Sequence, residues 1–69
     1  MISKRQKQVL DYVSEFIETH GYSPTVREIG KGVGLYSSST VQGHLGVLKA
    51  RGYITSVEST PRTIRVLKK

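Results

Sequence analysis

The 69-residue sequence predicts a mainly α domain with a small β-hairpin: three helices, then two antiparallel strands. Three observations predict it. Apolar residues recur at helical spacing in three segments, each opened by a capping residue and closed by a glycine. After the third segment the pattern turns β-branched and alternating. The length suits one domain, residues 1–69, which buries only roughly 60% of the surface of its unfolded chain and therefore has a thin core.

The first helix is expected from about Lys4 to His20. Ser3-Lys4-Arg5-Gln6 reads as a capping box, and Val9, Leu10, Val13, Phe16 and Ile17 form an apolar stripe. Asp11, Glu15 and Glu18 lie on another face, and Gly21 suits the left-handed residue that ends a helix. Pro24 keeps Ser23 extended, and Thr25-Val26-Arg27-Glu28 is a second capping box. It opens a short second helix with Val26, Ile29 and Val33 inward, stopping at Gly34. Gly30 and Gly32 each cost about 1 kcal/mol relative to alanine in a helix, and close crossing by another helix is the simplest reason for them.

Leu35-Tyr36 is a brief link, and the hydroxyls of Ser37, Ser38, Ser39 and Thr40 suit an N-cap. The third helix runs to about Arg51 and ends at Gly52, with Val41, Leu45 and Leu48 inward. Its opposite face carries Ser39, Gln42, Gly43, Gly46 and Lys49, with no large apolar group. Tyr53–Val57 then reads as a strand, Glu58–Arg62 as a turn, and Thr63–Leu67 as a second strand with Ile64 and Val66 on one side and Arg65 on the other. Lys68-Lys69 is a basic tail.

The charge is unevenly placed. Eleven Lys and Arg stand against five Asp and Glu, a net charge of +6. Residues 1–23 hold three of each sign, whereas residues 24–69 hold eight basic and two acidic residues. A basic half of this kind attracts polyanions, nucleic acid first and anionic membrane second. There are no cysteines, hence no disulfide framework or thiolate metal site. With no apolar run near the roughly 20 residues that span a bilayer, and no signal-peptide core, a soluble cytoplasmic chain is expected.

Three helices followed by a hairpin is the order of a winged helix-turn-helix. The second and third helices, joined by a tight turn at Gly34, form the helix-turn-helix, and its second helix enters the major groove of DNA. Such a helix needs short polar side chains near its start. Ser38, Ser39, Thr40 and Gln42 are of this kind, glutamine pairing bidentately with adenine and Ser or Thr serving either partner. Gly43 and Gly46 fit close approach of DNA to the backbone, or else packing of another helix. The serine run fits groove contact or simple capping, and one serine can cap while others read. Thr25, Arg27, Ser37, Ser38, Lys49, Arg51, Arg62 and Arg65 are the candidate phosphate contacts, and the turn at Thr60-Pro61-Arg62 fits a phosphate or the minor groove. Tyr36 fits a stacking or phosphate role, or an aromatic at the edge of the core. No catalytic residues, cofactor or metal site are expected: His20 and His44 are two isolated histidines, and neither a nucleophile-elbow frame nor a phosphate loop is present.

The run Tyr22-Ser23-Pro24-Thr25-Val26-Arg27-Glu28-Ile29-Gly30, then Val33-Gly34-Leu35, Ser37-Ser38-Ser39-Thr40-Val41, Gly43-His44-Leu45, Leu48 and Arg51-Gly52-Tyr53-Ile54, resembles the LexA DNA-binding domain, in the form found in Gram-positive bacteria. Ser3–Gln6 and Pro61–Ile64 fit as well, so the resemblance covers nearly the whole chain. It implies an SOS-type repressor that binds palindromic operators as a dimer through the helix starting near Ser38. By motif position Ser37, Ser39, Thr40, Gln42 and Gly43 match operator-facing positions. Gln42 departs from the pattern, standing where Gram-positive relatives tend to have histidine, which leaves the operator sequence open. The family's C-terminal half, with its self-cleavage site and Ser-Lys dyad, is not in this sequence. An excised domain and a standalone small regulator are both compatible with that.

The expected function is sequence-specific binding of double-stranded DNA at an inverted repeat, with weak dimerisation on DNA and no membrane partner. Two rivals are a protein-interaction module that mimics or antagonises such a repressor, and non-specific polyanion binding. Five neutralised phosphates predict a slope near −4.5 for log K against log salt, a salt dependence that a protein-interaction module would lack.

Overall fold

The computed structural model describes residues 2–68, so Lys69 of the basic tail lies outside the described residues. Helix α1 spans Lys4–His20, α2 spans Val26–Val33 and α3 spans Ser38–Ala50; strands β1, Ile54–Thr55, and β2, Arg65–Val66, pair antiparallel.

Local chemistry sets the helix ends. At α1 the Gln6 N–H donates to Ser3 Oγ at 3.1 Å and the Ser3 N–H donates to Gln6 Oε1 at 3.0 Å. Thr25 and Glu28 close the same box at α2, at 3.2 and 2.9 Å. Gly21, Gly34 and Gly52 all have positive φ. At Gly34 this lets the chain reverse at once: the Gly34 and Leu35 N–H groups both return to the Gly30 carbonyl.

The three helices pack on one another, and the hairpin closes the open side through α3 and α1. Val9, Leu10, Val13, Ile29, Val41 and Leu48 are wholly buried, with Ile54 and Ile64 nearly so. These are residues that the helical and alternating patterns turn inward. Phe16, Ile17, Val26, Val33, Leu45 and Val66 are half-buried around them. His20 stacks on Phe16 with ring centroids 4.1 Å apart.

The glycines of α2 are explained by two different neighbours. At Gly32 the Tyr12 ring of α1 occupies the space of a side chain, as helix crossing predicts. At Gly30 the obstacle is instead the Leu35 carbonyl of the chain's own turn, with Val41 of α3 behind it.

The strands are two residues each, shorter than the five-residue runs the sequence predicts. Two side chains take backbone groups out of the ladder. The Ile64 N–H donates to Ser23 Oγ at 3.1 Å, which ties β2 to the turn before α2. The Val57 N–H donates to Thr63 Oγ1 at 2.9 Å, where a longer ladder would offer a carbonyl. Between the strands Ser59 and Arg62 adopt φ of 60° and 58°, left-handed values uncommon for residues with a Cβ.

Candidate nucleic-acid interface

Helix α3 is built with two unlike sides. Val41 and Leu48 face the core and are fully buried, while Ser38, Ser39, Thr40, Gln42, Gly43, Gly46 and Lys49 are exposed. Steps of three and four place Ser39, Gln42, Gly43, Gly46 and Lys49 along one stripe. The serine run divides by role. Ser37 is the N-cap, its Oγ accepting the Thr40 N–H at a long 3.4 Å. The hydroxyls of Ser38, Ser39 and Thr40 and the Gln42 amide make no side-chain hydrogen bond among the described residues, so they are not spent on capping.

Gly43 and Gly46 stand in open space: a Cβ built on either meets nothing within 4 Å. Packing of another helix of this chain is therefore not their reason. Tyr36, in the turn just before the Ser37 cap, is 94% exposed, which removes it from the core edge.

Gln42, Gly46 and Lys49 line a cleft of about 740 Å³ between α3 and the hairpin. Thr25 and Arg27 at the start of α2 line one end, and the loop from Ser56 to Thr63 forms the far wall. The Lys49 ammonium donates to the Ser56 carbonyl at 3.0 Å and braces that wall. Arg27 and Arg51 are exposed and form no ion pair among the described residues. Glu58 is the acidic group of the loop wall.

Two candidate cations remain, Arg62, which also lines this cleft, and Arg65. The Arg62 guanidinium is paired although its side chain is 42% exposed: Nη1 and Nη2 donate to the two carboxylate oxygens of Glu28 at 3.0 and 3.1 Å, and Nη1 also reaches the Ser23 carbonyl at 3.1 Å. It lies over the Tyr22 ring, 4.9 Å from the centroid. The Thr25 backbone N–H first, and the Arg62 guanidinium after it, hold the Glu28 carboxyl below the usual glutamate range. Arg65 lies in a second hollow, of about 730 Å³, shared with Ser14, Glu18 and Tyr22 beyond the hairpin. Both arginines are candidate phosphate contacts in the sequence. The partners of Arg62 come from segments remote in the chain, so no local pattern announces them. The role of Ser23 as an anchor for the hairpin is hidden for the same reason.

Among the described residues no three of His, Cys, Asp and Glu gather as metal ligands, and no helix is long and apolar enough to cross a membrane.

Known proteins are similar to this sequence. Residues 1–63 match a family described as the LexA DNA binding domain. The chain is 53% identical over 66 residues to a LexA repressor from Geobacillus sp. (strain WCH70), a match that covers 96% of this chain and 32% of the relative. Over the same 66 residues and the same shares it is 53% identical to a LexA repressor of Halalkalibacterium halodurans and 47% to one of Staphylococcus aureus (strain USA300). The chain thus spans about a third of the length of these relatives.

Proposed function

The chain belongs to the LexA DNA-binding domain family, and from that premise we propose that it binds double-stranded DNA sequence-specifically, with α3 in the major groove. In this reading Ser39, Thr40, Gln42 and Gly43 meet base edges. Thr25, Arg27, Ser37, Ser38, Lys49 and Arg51 meet the phosphates on either side. Phosphate contacts set position and most of the affinity, while the α3 side chains select the sequence.

The observation that carries this reading is the open side of α3. Two glycines sit there with nothing within 4 Å of an added Cβ, beside Ser39 and Gln42 side chains that no described residue engages. Each glycine costs the isolated helix about 1 kcal/mol relative to alanine. Close approach of a surface from outside the chain accounts for tolerating that cost, and a helix 13 residues long fits the major groove.

The biological role proposed is that of a cytoplasmic transcriptional repressor of the SOS type. Two copies occupy an inverted repeat with half-sites about 34–36 Å apart, one helical turn of DNA. The activity is binding, not catalysis.

The test is a fluorescence-anisotropy titration against duplexes selected from a random pool, with scrambled duplex as competitor. The expected result is an enriched inverted repeat that the parent protein prefers, and a Gln42→Ala variant that loses discrimination at one base position while keeping its fold. Equal loss on every duplex would remove Gln42 from base reading. Absence of any preferred duplex would remove sequence-specific binding.

A further inference from the structure

The hairpin is fastened to the helix-turn-helix by a latch with Arg62 as its bolt. Three of its contacts converge on the segment that opens α2: two on the Glu28 carboxylate and one on the Ser23 carbonyl. Glu28 itself is immobilised, because Oε1 also accepts the Thr25 N–H at 2.9 Å. Ser23 adds a fourth tie by accepting the Ile64 N–H. Arg62 makes these contacts from a left-handed backbone, φ 58°, which the surroundings have to hold in place. The loop so held is the far wall of the cleft that Gln42 and Lys49 line.

We propose that Arg62 is a positioning residue for DNA binding and not a phosphate ligand: its guanidinium, fixed on Glu28 and Ser23, sets the distance of the hairpin loop from α3 and hence the width of the groove that admits the DNA backbone. This rests on the DNA-binding reading above. An arginine fork suits the task, since its planar donors satisfy two carboxylate oxygens and a carbonyl together, which a lysine ammonium does less well.

The two roles give opposite signs for one substitution. Glu28→Gln keeps an oxygen for the Thr25 N–H but loses the paired carboxylate. If Arg62 were a phosphate ligand, releasing it from Glu28 and removing a negative charge would strengthen binding. If Arg62 is the latch, the same change loosens the loop and weakens binding.

The experiment measures affinity for a selected inverted-repeat duplex, and its salt slope, for the parent, Glu28→Gln, Arg62→Lys, Arg62→Ala and the Glu28→Gln/Arg62→Ala double variant, with circular dichroism as the check of folding. Expected is a loss of about threefold to fivefold for each single variant, the range of a well-formed exposed pair. The double variant should fall no further than Arg62→Ala, and Arg62→Lys should fail to rescue. Salt slopes should match the parent. Tighter binding by Glu28→Gln, full binding by Arg62→Lys, or a slope shallower by about 0.9 in Arg62→Ala would overturn the proposal. So would unchanged affinity in all variants. Failure of the DNA-binding reading itself shows separately, as a parent protein that prefers no duplex, and the latch's role on DNA falls with it.

Discussion

Gly30 and Leu35 meet backbone to backbone inside the turn of the helix-turn-helix. The Leu35 N–H donates to the Gly30 carbonyl at 2.8 Å, and the Leu35 carbonyl oxygen stands 2.5 Å from where a Cβ on residue 30 would be. The reversal between α2 and α3 depends on that closeness, since it lets α3 leave the turn at Ser37 with its polar side outward. Gly46 is the opposite case, with nothing within 4 Å of its added Cβ.

Alanine at these two positions therefore has effects of opposite sign. Gly30→Ala should destabilise the domain by about 1–3 kcal/mol, because a backbone carbonyl has to move. Gly43→Ala and Gly46→Ala should each stabilise it by about 1 kcal/mol, raising Tm by about 4–8 °C, while weakening DNA binding. Thermal unfolding and anisotropy on the same samples check both. Stabilised variants that bind DNA as well as the parent would remove close approach as the reason for these glycines.

Salt dependence tests which of the candidate cations meet DNA. All five are exposed, but Arg62 is paired with Glu28 and Arg65 lines the hollow beyond the hairpin, whereas Arg27, Lys49 and Arg51 form no ion pair among the described residues. Three phosphates per domain give a slope of about −2.7, against the −4.5 expected if all five reach the backbone. Affinity measured over a range of salt concentrations reads the slope directly. A value near −4.5 would mean that Arg62 and Arg65 also meet the DNA.

Tyr36 makes almost no contact with the rest of the fold, being 94% exposed in the turn before α3. Tyr36→Ala should leave thermal stability within about 0.5 kcal/mol of the parent, as for an ordinary surface substitution. On DNA it should weaken binding severalfold, because an amphipathic ring beside the end of α3 proposed to enter the groove is well placed to touch a phosphate and its sugar. Tyr36→Phe separates ring from hydroxyl: loss equal to that of alanine assigns the effect to the hydrogen bond.

Acid should weaken the domain through Glu28. Its carboxyl is held below the usual range in the folded chain, by the Thr25 N–H foremost and by Arg62 next. A depressed folded value means stability that is complete above the ordinary glutamate pKa and is lost as pH falls through the lower folded value. Chemical denaturation below the ordinary carboxylate range should show the parent losing stability more steeply with falling pH than Glu28→Gln. Parallel curves would show that this carboxylate contributes nothing to acid sensitivity.

Much of the fold is legible in the sequence because its signals are local. Capping boxes span four residues, so Ser3–Gln6 and Thr25–Glu28 announce the starts of α1 and α2; the stripe in α3 that hides Val41 and Leu48 also exposes Ser39, Gln42 and Gly43, since one helical repeat governs both. The basic half and the glycine turn complete the outline of a DNA-binding domain. What only the tertiary structure decided are the relations between distant segments. Arg62 reaches Glu28 across 34 residues, and Ile64 reaches Ser23 across 41, and together these pair one arginine and cut the strands to two residues. Composition and periodicity report which side a residue faces but not what meets it there, because a partner across the fold is chosen by how helices and hairpin dock.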